Sequence, residues 1–176
     1  MVEDKSKVTS VKHRGRLRLF LVVTVLVVAL DQLSKLWIAG NRPQMDLLPG
    51  FLGLVYLENT GAVFGLFHNH TELFIGFGIA SVVAICVFLH YFPPATSLGT
   101  VSFALILSGA VGNLIDRIRL GYVIDFISIH LQDIFIWPAF NIADAALTIG
   151  IFTLIYYFYK SGAFRKAYEH NHKAQN

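Results

Sequence analysis

Four long apolar runs divide the chain, at 17–39, 73–92, 98–115 and 141–159, with polar or turn-forming residues between them. Each holds the roughly 18–23 residues that a helix needs to cross a hydrocarbon core of about 30 Å. The pattern predicts an all-α integral membrane protein: a four-helix transmembrane bundle in one membrane domain spanning 1–176. In the third run small residues recur every four positions, Ala104, Ser108 and Gly112 leading to Asp116, beside Gly109, Asn113 and Arg117. Small side chains let helices approach closely in lipid, so this is the expected packed face. In the fourth run Asn141, Asp144 and Thr148 stand at i, i+3 and i+7 and form one polar stripe.

The connections differ in kind. Pro93-Pro-Ala-Thr-Ser97 is a tight turn between the second and third runs. Segment 40–71 is too apolar for an ordinary loop, rich in aromatic and β-branched residues but punctuated by Gly50, Gly53, Gly61 and Gly65. It reads as strand pieces around a turn at Glu58-Asn-Thr-Gly61, a small β-rich interfacial segment. Such a surface could cradle an extended peptide by strand addition, or act as a re-entrant plug. In segment 117–140, Gly121 can stop the third helix, and the β-branched run after it favours a strand with Val123, Asp125, Ile127 and Ile129 on one face.

Charge sets the expected orientation. Only 14% of the 176 residues are charged, against about 25% in soluble domains. Of the fourteen Lys and Arg, ten lie at the two ends of the chain: Lys5, Lys7, Lys12, Arg14, Arg16 and Arg18 up to the start of the first run, and Lys160, Arg165, Lys166 and Lys173 in 160–176. An even number of spans puts both tails on one side, and the positive-inside rule makes it cytoplasmic, with 40–71 and 117–140 outside. Residues 1–16 are expected to be disordered or to lie on the membrane surface. The net charge of +3 is then a matter of topology and anionic lipid and calls for no nucleic acid. The first run could also be a cleaved signal peptide, but hydrophobicity resumes after Asp31-Gln32 and no small-x-small site follows Leu30, so it is read as a retained span. The single Cys86, inside the second run, is expected to be a small buried hydrophobe.

Candidate chemistry rests on acids in apolar company. Asp125 sits in Val-Ile-Asp-Phe and Asp144 in Phe-Asn-Ile-Ala-Asp-Ala. A carboxylate at membrane depth costs about 2.5–3.5 kcal/mol on insertion scales, so both are functional candidates. Brought together, with Asn113, Arg117 and Asn141 around them, they could share a proton as an aspartyl dyad. Asp31 and Lys35 are four apart on one helical face and are read as a neutralised pair at the interface. The histidine pairs His68/His70 and His170/His172 lack companions at zinc-ligand spacing, so no metal is expected. No serine elbow, thiol–histidine pair or phosphate loop is present. Two rivals use the same residues differently: a small proton-coupled transporter with the carboxylates as a relay, and a non-catalytic scaffold with polar stripes for packing.

Five segments, in order, resemble the lipoprotein signal peptidases (signal peptidase II), bacterial aspartyl membrane peptidases. They are Asp31-Gln-Leu-Ser-Lys35, Asn59-Thr-Gly-Ala-Val-Phe-Gly65, Gly112-Asn-Leu-Ile-Asp-Arg117, Val123-Ile-Asp-Phe126 and Phe140-Asn-Ile-Ala-Asp144. The resemblance covers nearly the whole chain except the tails. It implies a multi-pass protein of the bacterial inner membrane, with its site near the outer face. Its substrates would be prolipoproteins bearing a diacylglyceryl-cysteine, cut immediately before that cysteine with two aspartates and water, without metal or cofactor. Inhibition by globomycin-type cyclic peptides is implied as well. Carried over by position, the catalytic pair is Asp125 and Asp144. Asn59, Gly61, Asn113, Arg117 and Asn141 would position substrate, Asp116 would support, and Asp31 and Lys35 keep a structural role.

Overall fold

The computed structural model describes residues 5–61, 71–131 and 135–162. Residues 62–65 of the outer motif, His68, His70, His170, His172 and the tail cations Arg165, Lys166 and Lys173 lie outside them. Among the described residues the order is α1 (Lys5–Asn41), β1 (Met45–Leu48), β2 (Leu52–Asn59), α2 (Thr71–Tyr91), α3 (Ser97–Leu120), β3 (Val123–Leu131), β4 (Phe135–Phe140) and α4 (Ile142–Ser161). Four helical stretches are long and apolar enough to cross a membrane: Arg14–Asn41, Thr71–Tyr91, Ser97–Leu120 and Ile142–Ser161. The chain is therefore mostly helical with a small antiparallel sheet.

Several boundaries differ from the apolar pattern. Helix α1 starts at Lys5, so residues 5–16, expected to be disordered or to lie on the membrane surface, are helical and continuous with the first span. Lysine and arginine are good helix formers, and extending an existing helix avoids the nucleation cost. Its 37 residues rise about 55 Å, more than a hydrocarbon core requires, so the helix projects beyond it. Helix α3 continues past residue 115 through Asp116, Arg117 and Arg119, because neighbouring side chains receive their charges, and stops at Leu120. There Gly121 takes φ +84° and its N–H returns to Arg117 O at 3.1 Å. Only glycine adopts that left-handed geometry without a Cβ penalty.

Helix α3 packs against α1, α2 and α4. The small-residue stripe makes this possible. Ala104, Ser108, Gly109 and Gly112 are buried, a Cβ on Gly109 would strike Ala143 O, and one on Gly112 would sit 2.6 Å from Asp31 Oδ2. The outward faces are apolar, with Val25, Phe77 and Phe152 exposed, while Asp31, Lys35, Ser102, Asp116 and Asn141 are buried. That distribution suits a hydrocarbon surrounding. Cys86, expected to be buried, is exposed, because α2 buries none of its residues and lipid-facing positions stay open.

The sheet runs β1-β2-β3-β4, antiparallel throughout. The β1–β2 turn falls at Gly50 (φ +71°), upstream of the expected turn. The Glu58–Gly61 stretch instead ends β2 in an Asx turn, with Gly61 N–H donating to Asn59 Oδ1 at 3.0 Å. The sequence pattern did not anticipate β4. Its Pro138 is tolerated because β4 is an edge strand and the missing N–H costs no ladder bond there. Ile38 of α1 packs with Ile124 and Phe126 of β3, and Leu54, Tyr56 and Ile142 surround them. This cluster seats the sheet on the helix ends.

Candidate active site

Two local structures deliver the two acids. Asp125 is the third residue of β3, 1% exposed, and the strand is tied to α3 by Ile124 N–H donating to Asp116 Oδ2 at 3.3 Å. Pairing of β2 with β3 sets Asn59 opposite Val123, after an irregularity between Leu54 and Leu57. Asn59 Nδ2 then donates to Asp125 Oδ2 at 2.8 Å. Asp144 sits in the first turn of α4, within a capping box. Its N–H donates to Asn141 Oδ1 at 2.9 Å, and Asn141 N–H donates to Asp144 Oδ2 at 3.2 Å.

Asn141 joins the two acids. Beyond its capping role, its Nδ2 donates to Asp125 Oδ1 at 2.8 Å. The same amide nitrogen also reaches Ile124 O at 3.3 Å and Asn113 Oδ1 at 3.2 Å. Asn113 Nδ2 in turn donates to Asp144 Oδ1 at 2.7 Å. Both oxygens of each carboxylate therefore accept an N–H, from Asn59 and Asn141 at Asp125 and from Asn113 and Asn141 at Asp144.

Beneath the acids lies a buried ionic cluster. Lys35 Nζ is 2.9 Å from Asp31 Oδ2, 2.8 Å from Asp116 Oδ2 and 3.1 Å from Asn113 Oδ1. The expected Asp31–Lys35 pair exists, but not at the interface: Asp31, Lys35 and Asp116 are all buried, and Asp116 makes the pair a triad. Asp31 Oδ1 also accepts the N–H of Ala143 at 2.9 Å, placing a carboxylate on the positive end of α4. Gln32, which sequence reasoning passed over, completes the cluster. Its Nε2 donates to Asp116 Oδ1 at 2.9 Å and to Gly112 O at 3.2 Å. The available signal was an amide at the outer end of an otherwise apolar run.

Electrostatics at Asp125 favour its neutral form. Burial, and then the charge on Asp144, raise the Asp125 carboxyl to about 7. The amides of Asn59 and Asn141 and the Lys35 ammonium oppose that rise without cancelling it. Arg117 lies with its guanidinium carbon 5.1 Å from the Phe74 ring centre, and its charge acts on Asp144, Asp125 and Asp116. Thus Asp31, Lys35, Asn59, Asn113, Asp116, Asp125, Asn141 and Asp144 form one bonded network. Gly61 stands at its edge through Asn59, and Arg117 joins through its field.

A sequence model described as signal peptidase (SPase) II matches residues 23–160. A protein of Moorella thermoacetica named lipoprotein signal peptidase is 44% identical over 138 residues, covering 77% of this chain and 89% of that one. One of the same name from Syntrophotalea carbinolica is 40% identical over 148 residues, covering 80% and 91%. A solved structure described as a bacterial membrane enzyme superimposes with a TM-score of 0.71 at 32% identity, covering 80% of this chain and 87% of its own. By sequence and by fold, the chain belongs to the signal peptidase II family.

Proposed function

We propose that this membrane signal peptidase is an aspartic endopeptidase whose dyad is Asp125 and Asp144, and that it removes the signal peptide of lipoprotein precursors before a diacylglyceryl-cysteine. The observation that carries the reading is Asn141, which bonds Asp125 through its side chain at 2.8 Å and Asp144 through its backbone N–H at 3.2 Å. Two acids tethered to one residue, one of them raised to about 7, are suited to holding one proton between them near neutral pH.

The chemistry follows from that state. The ionised carboxylate takes a proton from water as its oxygen attacks the scissile carbonyl carbon, while the neutral carboxyl gives its proton to the carbonyl oxygen. Collapse of the tetrahedral intermediate breaks the C–N bond: one of its hydroxyls returns a proton to the second carboxylate, and the departing amine receives the proton first taken from water, which restores the pair. The amides of Asn59, Asn113 and Asn141 hold the carboxylates at fixed angles, so orientation is set before substrate arrives. Arg117 and the Asn59–Gly61 turn offer donors at the rim for the peptide backbone. Arg14, Arg16 and Arg18 lie in the N-terminal half of α1 and Lys160 in the last turn of α4, and Arg16 Nη1 reaches Ala95 O of the α2–α3 turn at 3.3 Å. Placing that basic end in the cytoplasm puts the sheet and the acids at the outer face, in a four-helix bundle with both termini inside. The substrate, an apolar helix with acyl chains, enters laterally from the bilayer, and its cleavage site leaves helical form to expose the carbonyl.

The test is processing of a diacylated prolipoprotein by purified full-length protein in detergent, with a chelator present and a globomycin-type cyclic peptide as control. Cleavage should survive chelation, stop with the cyclic peptide, and vanish in folded Asp125→Asn and Asp144→Asn. Either variant working at near wild-type rate refutes the dyad.

A further inference from the structure

The structure assigns Lys35 a positioning role in catalysis: its ammonium fixes which way the Asn113 amide faces, and so which atom meets Asp144. This rests on the aspartyl dyad proposed above and goes beyond it. An ammonium has three N–H donors and no acceptor. All three are directed, to Asp31 Oδ2 at 2.9 Å, Asp116 Oδ2 at 2.8 Å and Asn113 Oδ1 at 3.1 Å. The two aspartates lock the nitrogen in place, so its third N–H is a fixed pointer. It can address only the oxygen of Asn113.

That settles the amide. Asn113 Oδ1 faces Lys35 and Asn141 Nδ2, and Asn113 Nδ2 is left to donate to Asp144 Oδ1 at 2.7 Å. Asn141 is oriented independently, since its Oδ1 accepts the backbone N–H of Asp144 at 2.9 Å. Without the ammonium, only the shared Asn141 Nδ2 at 3.2 Å still holds the Asn113 oxygen, so the amide loses one of its two anchors and can tilt away from Asp144 Oδ1. Such an error near the reacting atoms lowers the rate without weakening substrate binding. Lys35 also brings positive charge. The charged groups acting on Asp125 are Lys35 from α1, Arg117 from α3 and Asp144 from α4, while β2 contributes the neutral amide of Asn59.

The experiment measures kcat, KM and the pH profile on a diacylated prolipoprotein for wild type, Lys35→Arg, Lys35→Met and Lys35→Met/Asp116→Asn. Asp125→Asn and Asp144→Asn run alongside. The double variant leaves the cluster with the same net charge as wild type, so it loses the pointer without stranding an extra buried acid. We expect kcat to fall by about 100-fold in both methionine variants with KM within about threefold, and partial recovery in Lys35→Arg. The high-pH limb should move upward in Lys35→Met and return towards wild type in the double variant. A folded double variant with kcat within about threefold of wild type overturns the proposal, as does a loss confined to KM. If neither methionine variant folds, Lys35 serves folding and the proposal also fails. Activity in the aspartate variants would instead remove the dyad itself.

Discussion

Asn141 donates its side-chain N–H to Asp125 Oδ1 at 2.8 Å from the N-cap of the helix that carries Asp144. One residue thus starts α4 and fixes the strand acid, which couples folding of the helix to assembly of the site. The two jobs separate by substitution. Asn141→Ser keeps an N-cap acceptor, so thermal stability should change little, yet it loses the amide donor and processing should fall by about 100-fold. Asn141→Ala should lose activity equally and in addition about 0.5–2 kcal/mol of stability. Melting and cleavage measured on the same preparations check both, and full activity in Asn141→Ser would show that the bridge is dispensable.

The Asp125 carboxyl, raised to about 7, gives stability a defined pH dependence. Between its unfolded value near 4 and about 7 the folded protein holds a proton that the unfolded chain has released. The contribution of this group is therefore complete at acid pH and is lost as pH rises through that window, on the order of a few kcal/mol. Wild type should melt at a lower temperature at pH 8 than at pH 5, and Asp125→Asn should narrow that difference. Under the proposed dyad mechanism, catalysis should decline above about pH 7, where Asp125 ionises. An unchanged pH dependence of melting in Asp125→Asn would contradict this assignment.

The helices were legible because lipid leaves an apolar run of about 20 residues essentially one solution, a helix that satisfies its own backbone. Gly121 and the β-branched residues after it likewise announced the α3–β3 junction. Less visible was anything set by distant partners. The continuation of α3 through Asp116 and Arg117 depends on Lys35, Gln32 and Phe74, which no local window contains. Strand β4 hides behind Pro138, which argues against a strand until its edge position is known. For the site, apolar neighbours singled out Asp125 and Asp144, whereas Asn59 and Gly61 came from the motif resemblance. The meeting of Asn59 with Asp125 needs a strand register with an irregularity that period-two reading does not foresee. The i,i+4 spacing exposed Asp31 and Lys35 but not the burial that makes Asp116 their third member.

Close approach at Gly112 yields a packing test. A Cβ there would lie 2.6 Å from Asp31 Oδ2 and 3.0 Å from Ala143 Cβ, so Gly112→Ala must displace the carboxylate that caps α4. The expected cost is about 1–3 kcal/mol, together with reduced processing as α4 shifts. Gly40, in the last turn of α1 with nothing within 4 Å of an added Cβ, is the control. Gly40→Ala should be neutral or stabilising by up to about 1 kcal/mol. Equal melting temperatures for the two variants would rule out the tight contact.

Thr24 offers the opposite opportunity. Its Oγ1 is buried without a hydrogen-bond partner among the described residues, while its carbonyl accepts Ser108 Oγ at 3.5 Å. A buried hydroxyl that makes no bond has lost its water and gained nothing, whereas its backbone neighbour is already satisfied. Thr24→Val keeps the shape and removes the oxygen, so the protein should be equally stable or gain about 1 kcal/mol. Thr24→Ser keeps the oxygen and discards the methyl, so it should lose stability by comparison. Activity should be preserved in both, since neither side chain belongs to the network around the acids. A valine variant that melts well below wild type would mean that the hydroxyl has a partner in the membrane-embedded protein, and the α1–α3 contact would then depend on a polar bond as well as on small residues.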